Sequence, residues 1–185
     1  MRTIILIAAL IVSVSCFAQT NPMETRNQLQ RELQSPEANW MSHYNLAYVD
    51  IAMTFGIRDD ALKNRLLEEA DNTLSTLGGM KEADLSEVEA LKAFRYLALM
   101  SMNPAVNGPK YGAAITVALD KSLKQNPDNP RAVILSAMYQ KNMAAFMNKE
   151  YENYNLDIQR ARTLLGSQDS TRLAPTWGIN LCGDK

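Results

Sequence analysis

The chain has 185 residues, of which 46% are hydrophobic and 21% charged, and its formal charge is −1. This composition is that of an ordinary globular protein with one sizeable core. Lysine and arginine are scattered without a basic stripe, so nucleic acid is excluded as a predicted partner. Many alanines, ten methionines and few β-branched runs after the first fifteen residues favour helices over strands.

The first 18 residues have the pattern of a secretory signal peptide. Arg2 precedes an apolar run over residues 4–12, and small residues follow as far as Ala18. The run is shorter than the ~20 residues that a membrane-spanning helix needs. We therefore predict that residues 1–18 are removed, that the mature chain has no transmembrane segment, and that the protein is periplasmic or secreted.

Two processing routes fit the end of this segment. A standard peptidase would cut after Ala18, with Cys16 and Ala18 as the small residues at −3 and −1. In the alternative, Cys16 becomes a lipidated N-terminal cysteine, for which Ser15 suits position −1 but Ser13 does not suit position −3. The soluble product is favoured, and it leaves Cys182 as a lone thiol without an intrachain disulfide.

A short lead helix and a first helical hairpin are predicted next. The lead helix covers residues 20–34, and Ser35 with Pro36 is predicted to start the following helix as N-cap and first residue. Gly56 ends that helix, and the second helix of the hairpin ends at the glycine pair after Leu77. The inner face of the first helix recurs at helical spacing and consists of Trp40, Tyr44, Ala47 and Ile51.

Two further hairpins complete the predicted architecture. The second covers residues 84–126, with a break at Pro104 and a turn that places Pro109 in the first turn of its second helix. Pro130 opens the third, whose second helix covers residues 149–165. The fold class is therefore all-α, with a lead helix and about three stacked antiparallel hairpins, because hairpins of roughly forty residues bury their apolar faces against one another. The predicted regions are a signal peptide at 1–18, a helical domain at 19–166 and a C-terminal tail at 167–185.

The junction at residues 126–132 resembles that of tetratricopeptide repeats, in which a proline closes one repeat and an alanine-rich helix opens the next. Leu123 matches the leucine near the end of the repeat's second helix, Ala137 the small residue of its first helix, and Trp40 its early aromatic residue. No unit holds the full repeat pattern, so the resemblance is to degenerate repeats over about residues 36–165. It implies a right-handed solenoid.

The whole layout resembles small exported tetratricopeptide-like proteins of Bacteroidetes-type bacteria, a largely uncharacterised family. The resemblance is carried by an alanine-glutamine signal end, an early tryptophan-tyrosine helix and a late Pro-x-Trp-Gly sequence. In this chain these are Ala18 and Gln19, Trp40 and Tyr44, and Pro175, Trp177 and Gly178. The resemblance implies the fold and the cellular compartment, and it says little about activity.

Residues that carry catalysis or bind metals do not converge in the sequence. His43 is the one histidine, and it sits beside the face of Trp40 and Tyr44, where a packing role explains it. Carboxylate pairs such as Asp59 and Asp60 fall at a helix start, where their negative charge interacts favourably with the positive end of the helix dipole. We therefore predict that the protein is not an enzyme and has no cofactor and no metal site.

A binding role is predicted from the architecture instead. The first helix of each hairpin would line a groove for an unidentified protein or peptide partner, so the function predicted is a non-catalytic binding module of the cell envelope. The alternative is a structural or assembly accessory that docks to an envelope complex through Trp177 and the tail. The candidate groove residues are Met41, Asn45, Tyr48, Lys92, Arg95, Met102, Met138 and Lys141.

Overall fold

The computed structural model describes residues 21–168 and 173–183, and all regular secondary structure in these ranges is helical. The predicted signal peptide and Cys16 lie outside the described residues. The α-helices are α1 (Pro22–Glu32), α2 (Trp40–Met53), α3 (Asp60–Gly79), α4 (Leu85–Met102), α5 (Pro104–Gln125), α6 (Pro130–Phe146) and α7 (Tyr154–Gly166), and a 3-10 helix covers Ile179–Cys182. The prediction of an all-α fold is confirmed.

The helices pack as a lead helix and three hairpins. Helices α2 and α3, α4 and α5, and α6 and α7 pair in succession, and α1 lies against α2. Helix α4 is central, since it contacts α2, α3, α5 and α6. Short connections make the members of each pair antiparallel neighbours. The right-handed tetratricopeptide solenoid stays a prediction.

The junction between the second and third hairpins is formed by capping chemistry. Asn129 precedes Pro130, and its Oδ1 accepts hydrogen bonds from the backbone N–H groups of Arg131 at 2.9 Å and Ala132 at 3.0 Å. Its side-chain amide donates to the Oγ of Ser86 at 3.0 Å, at the start of α4. The cap of α6 is thereby tied to the cap region of α4, which sets how the two hairpins stack.

Three predicted helix starts were wrong. Helix α7 begins at Tyr154 instead of residue 149, because Asn148 adopts a positive φ of 53° after α6 and the chain returns to a helix only at Tyr154. Helix α2 begins at Trp40 instead of Pro36, because Asn39 forms a capping box with Ser42 that leaves Ser35 and Pro36 in the preceding turn. Helix α5 begins at Pro104 and passes through Pro109, where a turn was expected. Asn103 caps this early start, and a proline in the second turn removes a single backbone hydrogen bond.

The core lies mainly between α2, α3, α4 and α5. The predicted inner face of α2 is buried there, together with the leucines of α3 and Phe94 of α4. A smaller cluster joins α6 and α7 to the end of the chain, where Ile134, Ile158 and Cys182 meet. Trp177 belongs to the main cluster, so the end of the chain packs into the first two hairpins as well.

The lead helix is held by a buried ion pair. Arg26 is the buried residue of α1, and its Nε lies 2.6 Å from the Oδ1 of Asp50 on α2. The same guanidinium donates to Glu69 of α3. Burial raises the pKa of Asp50 to about 6, although the charge and hydrogen bond of Arg26 act to lower it. The charged form of Asp50 is therefore disfavoured by folding.

We expect Asp50 to make the folded protein more stable at pH 5 than at pH 7. Between these values the folded protein takes up a proton at Asp50, whereas the unfolded chain, with an ordinary carboxyl pKa of about 3.9, does not. In the Asp50→Asn variant, the gain in the free energy of unfolding between pH 7 and pH 5 should be smaller by about 1 kcal/mol. Urea unfolding of both proteins at the two pH values measures this difference, and equal pH dependence would contradict it.

Candidate functional site

A groove of about 410 Å³ lies between α3, α4 and α5. Its lining combines a small apolar surface with charged side chains of both signs. The apolar and aromatic residues are Leu74, Tyr96, Ala114, Val117 and Ala118, and the polar and charged residues are Asp71, Ser75, Glu89, Lys92, Arg95 and Lys121. The volume falls within the range of small-molecule sites, which is about 300–1,000 Å³.

Helical spacing brings these residues to one surface. On α5, Ala114, Val117 and Lys121 follow one another at three and four positions, so they share a face. On α4, Lys92 and Arg95 are likewise three positions apart. The groove is therefore formed by one face from each of three helices that belong to two successive hairpins.

The three cations of the groove differ in how they are neutralised. The Nζ of Lys92 lies 2.7 Å from Glu89, and the Nη1 of Arg95 lies 3.0 Å from Asp71 while its Nε donates to the carbonyl of Leu67. Lys121 has no carboxylate within ion-pair distance in the described part of the chain. The groove thus offers Lys121 as an unneutralised cation on an exposed surface.

A pair of tyrosines extends the groove along α4 and α5. The rings of Tyr96 and Tyr111 are stacked, with centroids 6.0 Å apart and planes at 23°. The guanidinium of Arg95 lies over Tyr96, and the ammonium of Lys110 lies 4.9 Å from the centroid of Tyr111. Flat aromatic surface and positive charge therefore occur together at this end of the groove.

The structure brings together two of the eight predicted groove residues. Lys92 and Arg95 line the groove described above. Met41 is only 7% exposed and packs in the core, so it faces away from solvent. Tyr48 stacks on Trp177, with ring centroids 5.0 Å apart.

The other predicted residues lie elsewhere. Met102 and Met138 are half-buried against different hydrophobic clusters, Asn45 is half-buried on α2, and Lys141 lies over the ring of Tyr154. Most of the missed groove residues belong to α3 and α5, the second helix of each pair, whereas the prediction considered first helices alone; Glu89 and Tyr96 lie on α4 and were missed as well. Val117 was a signal available in the sequence, because it is an apolar residue that lies off the apolar stripe of α5. In the structure its side chain is exposed.

A second set of functional groups is buried where α2, α4 and α6 meet. Arg131 is fully buried, and its Nη1 donates to the Oε1 of Glu87 at 3.1 Å. Tyr44 donates to the other oxygen of Glu87 at 3.2 Å and accepts from the Nε1 of Trp177 at 2.9 Å. Burial raises the pKa of Glu87, and Arg131 opposes that change. We call Tyr44, Glu87 and Arg131 the buried hub.

The hub fixes the end of the chain. The Nη2 of Arg131 donates to the side chain of Gln168 and to the backbone carbonyl of Pro175. Trp177 is 8% exposed and stacks on Phe94 with centroids 5.3 Å apart. The side chain that was predicted to dock to a larger complex is therefore packed inside this protein.

Histidine, cysteine and acidic side chains are the groups from which a metal site or a catalytic base would be built. His43 is half-buried on α2. Within residues 21–168 and 173–183, no group of three histidine, cysteine or acidic side chains is placed to hold a metal ion. None of the helices described is long and apolar enough to cross a membrane.

Comparison with known proteins shows a similarity of fold. No protein family model matches the chain, and no curated protein matches it significantly. A solved structure of the HusA haemophore from Porphyromonas gingivalis is similar, with a TM-score of 0.78 and 24% sequence identity. The match covers 99% of this chain and 92% of that chain. The two chains share a fold.

Proposed function

We propose that this protein is an exported, non-catalytic binding protein that takes a tetrapyrrole such as haem into the groove between α3, α4 and α5. The observation that carries the proposal is the groove itself, where Lys92, Arg95 and Lys121 surround apolar surface and the ring of Tyr96. The fold supports it, because a protein with the same architecture is a haemophore. Haem is the cargo in this proposal and not a resident cofactor.

The chemistry of the groove suits a flat apolar ligand with peripheral carboxylates. Val117, Ala114 and the ring of Tyr96 supply surface against which an apolar ring would lose its hydration. Cationic side chains bind carboxylates through charge-assisted hydrogen bonds, which are about twice as strong as neutral ones. Lys121 is available for such a bond without first giving up a partner of its own.

We expect the double substitution of Lys92 and Lys121 by alanine to weaken haemin binding roughly tenfold or more, because it removes two charge-assisted contacts. Titration followed by the Soret absorbance measures the change. Lys124→Ala is the matched control, since Lys124 is exposed on the same helix and does not line the groove. Equal haemin affinity in the natural protein and both variants would contradict the site.

A peptide ligand is the second candidate for the same groove. Asp71, which pairs with Arg95, is largely exposed, so the carboxylate of an acidic peptide can exchange with it. The peptide-binding module predicted from the sequence is supported by this arrangement of replaceable ion pairs. Displacement of bound haemin by an acidic peptide, but not by a basic one, would favour the peptide as the natural ligand.

The accessory role through the tail has less support. It needs Trp177 outside the core, whereas its ring is packed against both Tyr48 and Phe94. The binding proposal needs no such rearrangement, because the groove is open in the structure described here.

A further inference from the structure

The residues just before the final 3-10 helix lie against the helical hairpins without forming a helix of their own. Residues 173–178, which we call the C-terminal segment, have no regular secondary structure. Pro175, Trp177 and Gly178 are buried, whereas Leu173 and Thr176 are exposed. A segment without regular secondary structure that buries some side chains and exposes others is typical of a peptide held in pockets on a protein surface.

Side chains from all three hairpins hold this segment. Helix α2 contributes the hydroxyl of Tyr44, which accepts from the indole of Trp177, and the ring of Tyr48, which stacks on it. Helix α4 contributes Phe94, whose ring lies 5.3 Å from that of Trp177. Helix α6 contributes Arg131, which donates to the carbonyl of Pro175 and lies over the indole ring.

The indole pocket distinguishes tryptophan from other side chains. The planes of Tyr48 and Phe94 make angles of only 14° and 23° with Trp177, so the pocket suits a flat ring. The hydroxyl of Tyr44 accepts a hydrogen bond that phenylalanine cannot donate. Recognition therefore uses shape and one polar contact together.

The next position requires glycine. Gly178 has a φ of +120°, a conformation that side chains rarely adopt; a Cβ there would be in ordinary contact with Ile134 and Leu165 at 3.5 Å, so the backbone conformation and not the space sets the requirement. The bound sequence is therefore specified at two positions, by the indole and the glycine, while residue 175 contributes a backbone carbonyl. Thr176 is exposed between residue 175 and the indole and is free to vary.

The helices that hold the C-terminal segment also provide a buried hydrogen-bond donor that the segment does not use. Arg131 is fully buried, and its Nε has no hydrogen-bond partner among the described residues. Charged groups are rarely placed inside a protein with a donor left over. The buried hub thus offers more hydrogen bonds than the C-terminal segment takes up.

From these contacts we propose that the face formed by α2, α4 and α6 is a second binding site, distinct from the α3–α4–α5 groove and selective for peptides that contain the sequence Trp-Gly. The chain's own C-terminal segment is its occupant in this structure, and the same segment of a second copy fits it equally. The site binds such a peptide in trans once the resident segment is released. This property does not depend on what the groove binds.

Exchange of the segment tests the proposal in the full chain. A protease recognition sequence replaces residues 169–172, and the folded protein is cleaved there, with circular dichroism before and after. A fluorescent peptide of residues 173–183 is then added, and its anisotropy is followed. The cleaved protein should bind the peptide and the uncleaved protein should not, because its own segment occupies the site.

Peptide variants serve as controls, since they leave the receptor side unchanged. Peptides with Trp177→Ala or Gly178→Ala should compete roughly tenfold or more weakly than the natural peptide, whereas Thr176→Ala should compete equally. Competition that is equal for all four peptides would overturn the assignment of the pocket. Failure of the cleaved, still helical protein to exchange its segment, or its unfolding when the segment leaves, would show that the segment is solely a part of the core.

Discussion

Replacing Arg131 with alanine is expected to lower the free energy of unfolding by about 3–5 kcal/mol. The substitution leaves Glu87 buried without its cation, and it also removes the donor that holds the carbonyl of Pro175. Removing one partner of a buried ion pair is far more damaging than removing an exposed pair, because the remaining charge cannot be hydrated. Chemical unfolding followed by circular dichroism measures the loss.

Two companion variants separate the charge effect from general damage. Arg160→Ala removes an exposed arginine whose partner Asp128 is also exposed, so it should change stability by about 1 kcal/mol or less. Adding Glu87→Gln to Arg131→Ala should recover part of the loss, because a neutral amide is easier to bury than an unpaired carboxylate. A loss for Arg131→Ala no greater than that for Arg160→Ala would show that the buried hub contributes little.

Replacing Trp177 with alanine is expected to destabilise the protein by about 3–5 kcal/mol. The change empties the space that the indole fills beside Tyr48 and Phe94, and it leaves the hydroxyl of Tyr44 without the indole donor. Cavity formation and the lost stacking act in the same direction. Thermal and urea unfolding of the full chain measure the effect.

The conservative change Trp177→Phe separates the contribution of ring packing from that of the hydrogen bond to Tyr44. Phenylalanine retains a flat ring but cannot donate to Tyr44, so we expect a loss of about 1–2 kcal/mol. Ile179→Ala is the matched control from the same end of the chain, since Ile179 is exposed. If Trp177→Ala were as mild as Ile179→Ala, the end of the chain would not be part of the cooperative fold.

The helices could be predicted from the sequence because their signals are local. The face of α2 recurs at helical spacing, and the proline that opens α6 follows a capping asparagine. Helix starts were predicted less well, since a start depends on competition between neighbouring caps. Helix α2 is capped by Asn39 and not by Ser35, because the side chains of Asn39 and Ser42 together form a capping box.

The candidate groove could be predicted only in part. Lys92 and Arg95 were identified from their place on α4, but Lys121 and Val117 lie on α5 and join them through the packing of the two helices of one hairpin. Met41 was predicted in the groove but is buried in the core. The sequence could not distinguish the two places, because a flexible apolar side chain suits both a core and a binding surface. Sequence spacing establishes which residues share a helix face, not which faces meet.

The amino-acid sequence by itself determined the helical class and the division into a lead helix and three hairpins, because periodicity and capping act over a few residues. The tertiary structure decided the place of the chain's end and the site on α3, α4 and α5. Trp177 lies 133 positions beyond Tyr44, and it meets that residue only when three hairpins have stacked. Burial then turned Glu87 and Arg131, two ordinary charges in the sequence, into the hub that holds the end of the chain, since charges inside a protein must find each other.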